Sequence, residues 1–144
     1  MDFKVKHFSQ LTTDQLYEIL KLRSAVFVVE QTCIYQDIDG RDKNGWHVFA
    51  TDEQGKLKAC LRFVEKDSDS VHMGRVITVD RGTGMGAKLL KAGIQAVKDN
   101  TDKKQIYLEA QSYALGFYQK AGFVVIGEEF VEDGIPHFPM MYTL

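Results

Sequence analysis

The stretch Val76-Ile77-Thr78-Val79-Asp80-Arg81-Gly82-Thr83-Gly84-Met85-Gly86-Ala87 constrains this chain more than any other. A run of β-branched residues meets three alternating glycines, and an amphipathic pattern starts at once behind them, with Ala87, Leu90, Ile94 and Val97 in one stripe. A buried strand therefore turns tightly into a helix. Glycine lets the backbone adopt conformations closed to other residues and lets a ligand come close to it. The unpaired N–H groups and the dipole of a helix start form an anion site, and Arg81 adds a full positive charge at the rim. Glycines can serve only to turn a corner, but this many beside an arginine exceed what a corner needs. The spacing G-x-G-x-G departs from the dinucleotide fingerprint G-x-G-x-x-G, and Lys88 followed by Leu89 departs from a nucleotide P-loop. The turn reads as a pyrophosphate site.

Around that turn the chain alternates strand and helix patterns. Phe3–Phe8 alternates as a half-buried strand. Thr12-Thr13-Asp14-Gln15 has the form of a capping box, and the helix behind it sets Leu16, Ile19, Leu20, Arg23 and Phe27 on one face. Cys33–Gly45 is polar, aspartate-rich and read as loop. His47–Thr51, Leu57–Glu65 and Val71–Asp80 then form an antiparallel meander, joined by turns at Asp52–Gly55 and Asp67–Ser70. After the glycine turn and its helix come a strand at Ile106–Ala110, a short helix at Tyr113–Ala121, a strand at Phe123–Val131, a turn at Asp133-Gly134 and a last strand at Phe138–Leu144. Strand–helix–strand units in the second half require parallel pairing, so the fold is α/β with a mixed sheet, and residues 1–144 are read as one domain.

Composition removes several classes of function. The formal net charge is −2, from 18 basic and 20 acidic residues spread along the chain, so no basic stripe is available for nucleic acid or an anionic membrane. No apolar run is long enough for a transmembrane helix, and the N-terminus has no signal-peptide core. Cys33 and Cys60 lie in apolar stretches without metal-ligand spacing, and read as reduced, buried thiols of a cytoplasmic protein. Asp37, Asp39 and Asp42 resemble half a calcium loop, but the glycine and terminal glutamate of that loop are not in place; no metal is expected.

Two segments then carry a resemblance to a known family. Arg81-x-x-Gly84-x-Gly86 resembles the [QR]-x-x-G-x-[GA] signature of the GNAT superfamily, which holds the coenzyme A pyrophosphate, and Ala114-Leu115-Gly116-Phe117-Tyr118-Gln119-Lys120-Ala121-Gly122-Phe123 resembles its second signature. Leu22–Gln31, Tyr35–Gly40 and Glu132–His137 are similar to the ElaA subgroup, so the likeness runs from about Leu16 to Met140. It implies the GNAT acyl-CoA N-acyltransferase fold, a mixed sheet splayed between its fourth and fifth strands, with acetyl-CoA as cosubstrate in the splay. Ile77, Thr78, Val79, Arg81, Gly82, Thr83, Gly84, Met85, Gly86, Ala87 and Phe117 are its expected contacts. The asparagine that often opens the second motif is absent; Gln111 or Ser112 occupies that region.

Acetyl transfer to an amine has three needs. An alkylammonium with pKa near ~10 must lose a proton. The tetrahedral oxyanion needs an N–H donor, for which a backbone amide near Thr78 or Val79 is the candidate. The leaving thiolate gains from a proton, which the resemblance assigns to Tyr118; an aromatic packed under the sheet is the competing reading. His137 suits the base by its ordinary pKa and by its place on the last hairpin. Glu30, His47, Glu109, Glu132 and Asp133 are the other candidates for the base and for lining the acceptor site. The expected partner is a small-molecule or peptide amine, with the chain a monomer or homodimer. Two alternatives stay open: a non-catalytic acyl-CoA-binding or sensing module, and an acyltransferase with a longer acyl donor.

Overall fold

The computed structural model describes residues 2–144. Eight strands form one sheet in the order β1-β2-β3-β4-β5-β8-β6, with β7 also on β8. β1 (Phe3–His7), β2 (Trp46–Thr51), β3 (Leu57–Glu65) and β4 (Ser70–Thr78) pair antiparallel. Helix α2 (Met85–Asn100) crosses over to β5 (Gln105–Gln111), which lies parallel to β4 and antiparallel to β8 (Ile135–Thr143). The mixed sheet expected of the sequence is present.

Strand alternation divides the core between two faces. On one face, Val48, Leu61, Phe63 and Met73 pack with Leu89, Leu90, Ile94 and Val97 of α2. There α2 lies close to the sheet: a Cβ on Gly93 would stand 2.8 Å from Leu61. On the other face, Phe49, Cys60 and Ile77 pack on Ile19 of α1 (Thr13–Arg23). The Thr12 capping box forms as expected, with Gln15 N–H donating to Thr12 Oγ1 at 3.1 Å and Thr12 N–H to Gln15 Oε1 at 3.0 Å. Among the described residues no helix is long and apolar enough to cross a membrane.

Four local readings need correction. The first helix, whose expected face ran through Phe27, is α-helical only to Arg23 and widens into a π-helical turn over Ser24–Glu30. The second motif begins with a 3-10 turn at Ser112–Ala114, and its α-helix, α3, is confined to Leu115–Lys120. The strand expected at Phe123–Val131 is two short edge strands, β6 (Val124–Val125) and β7 (Phe130–Glu132), and β8 starts three residues before Phe138. Both edge strands pair with the same side of β8, and a single continuous strand is not what that side carries.

The parallel pairing that joins the two halves of the sheet is short. Ser70–His72 match Gln105–Tyr107, and from there β4 runs on to Thr78 and β5 to Gln111 while the strands part. A parallel ladder that stops midway leaves a wedge with unpaired edges on both sides. That wedge is the splay the resemblance implied, and it sets the position of the site.

Candidate active site

A cavity of about 790 Å³ fills the wedge. It is within the range of pockets that enclose small ligands. Its walls come from the π-turn (Val26, Phe27, Gln31), the far half of β4 (Val76, Ile77, Thr78), the glycine turn, α3 and the β7–β8 hairpin. Gln31 and Gln111 exchange amide hydrogen bonds at 3.3 Å, joining the π-turn to the tip of β5.

The glycine turn divides its work among its glycines. Gly82 and Gly84 sit at φ +78° and +81°, the left-handed region that favours glycine, and a Cβ on either would meet nothing within 4 Å. The space above them is open. Gly84 caps α2 without a side-chain hydrogen bond, and the first turn of α2 carries no acidic residue. The N–H groups at this end have no partners within the helix, so the turn offers donors to an anion. Gly86 has another role: its missing Cβ makes room for the Phe117 ring, whose Cε1 would lie 2.8 Å from it. The two signature segments meet at that contact. Arg81 lies at the rim with its guanidinium 2.7 Å from Glu30 at the end of the π-turn, so the expected phosphate cation is already paired. Gly82, Gly84, Gly86, Ala87, Ile77, Thr78 and Phe117 border the cavity with Arg81; Val79, Thr83 and Met85 do not.

The far half of β4 is irregular in a way the sequence does not announce. Arg75 has φ +55°, and there the register against β3 slips, with Cys60 opposite Ile77 but Arg62 opposite Gly74. This is a β-bulge, which re-aims the strand behind it. Val79 N–H donates to the Lys58 carbonyl at 2.9 Å and is therefore not free for an oxyanion. Strand N–H groups alternate in direction. Thr78 N–H, and by the same alternation that of Val76, consequently faces the cleft.

Tyr118 borders the cavity from α3, its ring set edge-on to Phe117 and Phe123 at 5.0 and 6.0 Å. Burial raises the pKa of its hydroxyl, which keeps the proton on. His137 lies across the cavity on β8, stacked on Phe130 at 5.7 Å. Its Nδ1 is 2.7 Å from the Ile135 carbonyl, which can only accept, so Nδ1 carries a hydrogen and the neutral ring is the tautomer whose lone pair lies on Nε2.

Glu109, Glu132 and Asp133 also line this end. Glu109 accepts from the Tyr107 hydroxyl at 3.1 Å and lies 3.7 Å from His72 Nε2. Burial pushes His72 down to about 4, so that ring is neutral. Burial, and then the nearby Glu109 charge, raises Glu132 above the usual carboxylate value. His47 is elsewhere: it is 1% exposed, with Nε2 3.1 Å from the Asp42 carbonyl, and does not reach the cavity. Glu30 likewise stays outside the cavity wall, engaged with Arg81.

The aspartate-rich loop holds what sequence reasoning missed. Asp37, Asp39 and Asp42 meet Arg23, Arg62 and Arg75 in a network of ion pairs: Arg23 reaches Asp37 at 3.0 Å and Asp42 at 2.6 Å, Arg62 reaches Asp39 at 2.7 Å and Asp42 at 2.8 Å, and Arg75 reaches Asp37 at 2.7 Å. Arg23 on an otherwise apolar helix face was the signal. A buried arginine requires carboxylate partners, and the loop supplies them.

A mixed sheet wedged open beside a glycine-capped helix, with a cavity in the wedge, defines an acyl-CoA N-acyltransferase fold. Residues 9–144 match the acetyltransferase (GNAT) domain. The chain belongs to the GNAT acetyltransferase family, whose members carry out acyl-CoA-dependent acyl transfer. It is 41% identical over 140 residues to protein ElaA of Escherichia coli, a match covering 93% of this chain and 91% of ElaA. The crystal structure of Escherichia coli ElaA superposes with a TM-score of 0.92 at 38% identity, over 99% of both chains. An acyl-CoA N-acyltransferase from Pseudomonas aeruginosa gives 0.88 at 36% identity, again over 99% of both.

Proposed function

We propose that this protein transfers the acetyl group of acetyl-CoA directly to an amine of a small molecule or peptide. The observation that carries the reading is that one cavity touches the glycine turn, the cleft-facing edge of β4, Tyr118 and His137 together. The donor fits the residues present: open space lies over Gly82 and Gly84, unpaired N–H groups of α2 face it, and Arg81 is at the rim. When bound, acetyl-CoA supplies an activated acetyl group and a thiolate leaving group.

The chain's own groups divide the remaining work. The turn and the start of α2 hold the pyrophosphate. Thr78 N–H is the donor for negative charge on the acyl oxygen. Tyr118 keeps its proton at Oη, available to the departing sulfur. His137 Nε2 accepts the proton of the attacking amine, directly or through a water. Glu109, Glu132 and Asp133 favour a cationic acceptor, and the protein works in the cytoplasm.

The test is thiol release from acetyl-CoA across polyamines, amino sugars and peptide N-termini, followed by His137→Ala with the best acceptor class. The variant should flatten the low-pH limb of the rate profile and lose most rate with strongly basic alkylamines, least with arylamines that are already neutral. Equal losses for both classes, with the low-pH limb intact, would remove His137 as the base. An absence of thiol release with any amine would favour a binding module over an enzyme.

A further inference from the structure

Two backbone irregularities border the cavity. The first helix widens to a π-turn immediately after Arg23, and β4 bulges at Arg75. Each moves a cavity wall: the π-turn carries Val26, Phe27 and Gln31 to the cleft, and the bulge re-aims Val76–Thr78.

One residue ties them together. Asp37 accepts a hydrogen bond from Arg23 Nε at 3.0 Å on one carboxylate oxygen, and its other oxygen stands 2.7 Å from Arg75 Nε as an ion pair that is not aligned as a hydrogen bond, while its carbonyl accepts from both guanidinium groups at 3.0 and 3.1 Å. Arg75 also lies over the Tyr35 ring at 5.6 Å, and Tyr35 donates to Asp37 at 2.6 Å. Arg23 is the last residue of α1 before the π-turn, and Arg75 is the bulge residue itself. Arg75 is in a conformation that a non-glycine residue rarely adopts, so something outside the strand must hold it there. Its ion pair with the Asp37 carboxylate and its hydrogen bond to the Asp37 carbonyl are the shortest polar contacts it makes outside the strand, with Asp39 farther off at 3.5 Å. Arginine's planar fork suits this task better than lysine's point charge.

We propose that Arg75 is a positioning residue for acyl transfer, acting through Asp37 to fix the cleft-facing edge of β4 relative to the π-turn. The role rests on the reading of the cavity as the transfer site. Arg75 need not touch the reacting atoms. It sets where the strand that does so stands against the opposite wall, and displacement of a wall by about 1 Å is enough to cost roughly a hundredfold in rate.

Arg75→Ala and Asp37→Asn test this by two readouts. Arg75 borders the cavity, whereas Asp37 does not, so the second variant removes the carboxylate charge from the link, though not the two bonds to the Asp37 carbonyl, without altering the wall. Amide hydrogen exchange should rise at least tenfold in both Ser24–Glu30 and Val76–Thr78, with the glycine turn and α2 unchanged. In the acetylation assay kcat should fall between about tenfold and a hundredfold, while acetyl-CoA affinity by calorimetry stays within about twofold, and Arg75→Lys should recover only part of kcat. Exchange that rises in one segment alone, or in neither, overturns the link. A loss of kcat in Arg75→Ala without one in Asp37→Asn also overturns it, by making Arg75 a direct substrate contact. Wild-type protein that acetylates no amine would fail the proposed function, and the exchange experiment would still decide whether the two segments are coupled.

Discussion

The contact between the two signature segments can be tested by adding a single carbon. In Gly86→Ala the new Cβ would stand 2.8 Å and 2.9 Å from Cε1 and Cζ of Phe117, where ordinary contact begins at 3.4 Å. The ring must retreat by 3.4 − 2.8, about 0.6 Å. On one side its retreat is blocked by Tyr118, packed edge-on at 5.0 Å, and on the other it borders the cavity, so the shift would push it toward the acyl-CoA wedge. Overpacking of this kind costs ~1–3 kcal/mol. Alanine gains up to about 1 kcal/mol over glycine within a helix, and less in a first turn. The net loss is therefore about 1–2 kcal/mol, a fall in Tm of roughly 3–8 °C for a chain of this size. A double-mutant cycle with Phe117→Leu, which removes the two offending ring atoms, should show coupling of at least ~0.5 kcal/mol in urea denaturation. Gly84→Ala is the control: its cost comes from φ +81° and not from a neighbour, so it should be independent of residue 117. Additivity for Gly86→Ala with Phe117→Leu, or a Gly86→Ala protein as stable as wild type, would show that the ring does not depend on the glycine.

Three further outcomes follow from the site and the loop behind it. Tyr118→Phe should keep acetyl-CoA affinity and lower turnover by about tenfold or more when chemistry limits the rate; wild-type turnover would reduce the residue to packing. Glu30→Gln should tighten acetyl-CoA binding by about two- to fivefold in calorimetry, since an exposed ion pair to Arg81 worth ~0.2–1 kcal/mol no longer competes with phosphate; weaker binding would mean that Glu30 holds Arg81 in place. Stability should decline with acid in two stages. Burial holds His47 and His72 below their ordinary values, so each contributes stability above about pH 6.5 that is lost as pH falls through its folded value, about 4 for His72. Burial alone would raise Asp42, but hydrogen bonds from Arg23 and Arg62 hold it below the usual range, so a steeper loss sets in below about pH 4. In Asp42→Asn denaturation curves should show a loss of ~3–5 kcal/mol at pH 7 and a flatter acid limb; an unchanged limb would take Asp42 out of the acid response.

What was legible in the sequence was whatever local chemistry fixes. Thr12 and Gln15 announce a helix start because both partners of the capping box lie within four residues. The glycine turn is legible because positive φ and a helix start leave a compositional trace. Illegible were features that depend on partners far along the chain. His47 misleads for a different reason: its partner, the Asp42 carbonyl, is only five residues back, but in a 3-10 turn at Arg41–Asn44 where the sequence reads as loop. Val79 looked like an amide donor until Lys58, on another strand, claimed its N–H. The bulge at Arg75 and the π-turn after Arg23 have no local signature, since neither contains glycine or proline at the irregular residue. Phe123–Val131 reads as one strand because its residues favour strands, but β8 has room on that side for two short ones.

The charge distribution explains how one cavity can serve two opposite ligands in a chain of net charge −2. The three arginines of the loop network face three aspartates, so that network contributes little field to the cavity despite its proximity. Other charged groups then set most of the cavity's potential, Arg41 and Asp80 on its wall among them. At one end it comes from helix N–H groups and Arg81, which suit an anion without a basic surface. At the other it comes from Glu109, Glu132 and Asp133, none of which holds an arginine or lysine among the ion pairs of the described residues. On the proposed function, a phosphate-bearing donor would be drawn to the first end and a protonated amine to the second. His137 stands at the acidic end, so on the same proposal a charged amine would arrive where its proton can be removed. Pairing Arg62 and Arg75 with the loop aspartates takes two cations out of the field at this wall, which leaves Arg41, 3.4 Å from His72 Nδ1, as the cation there that the carboxylates must outweigh.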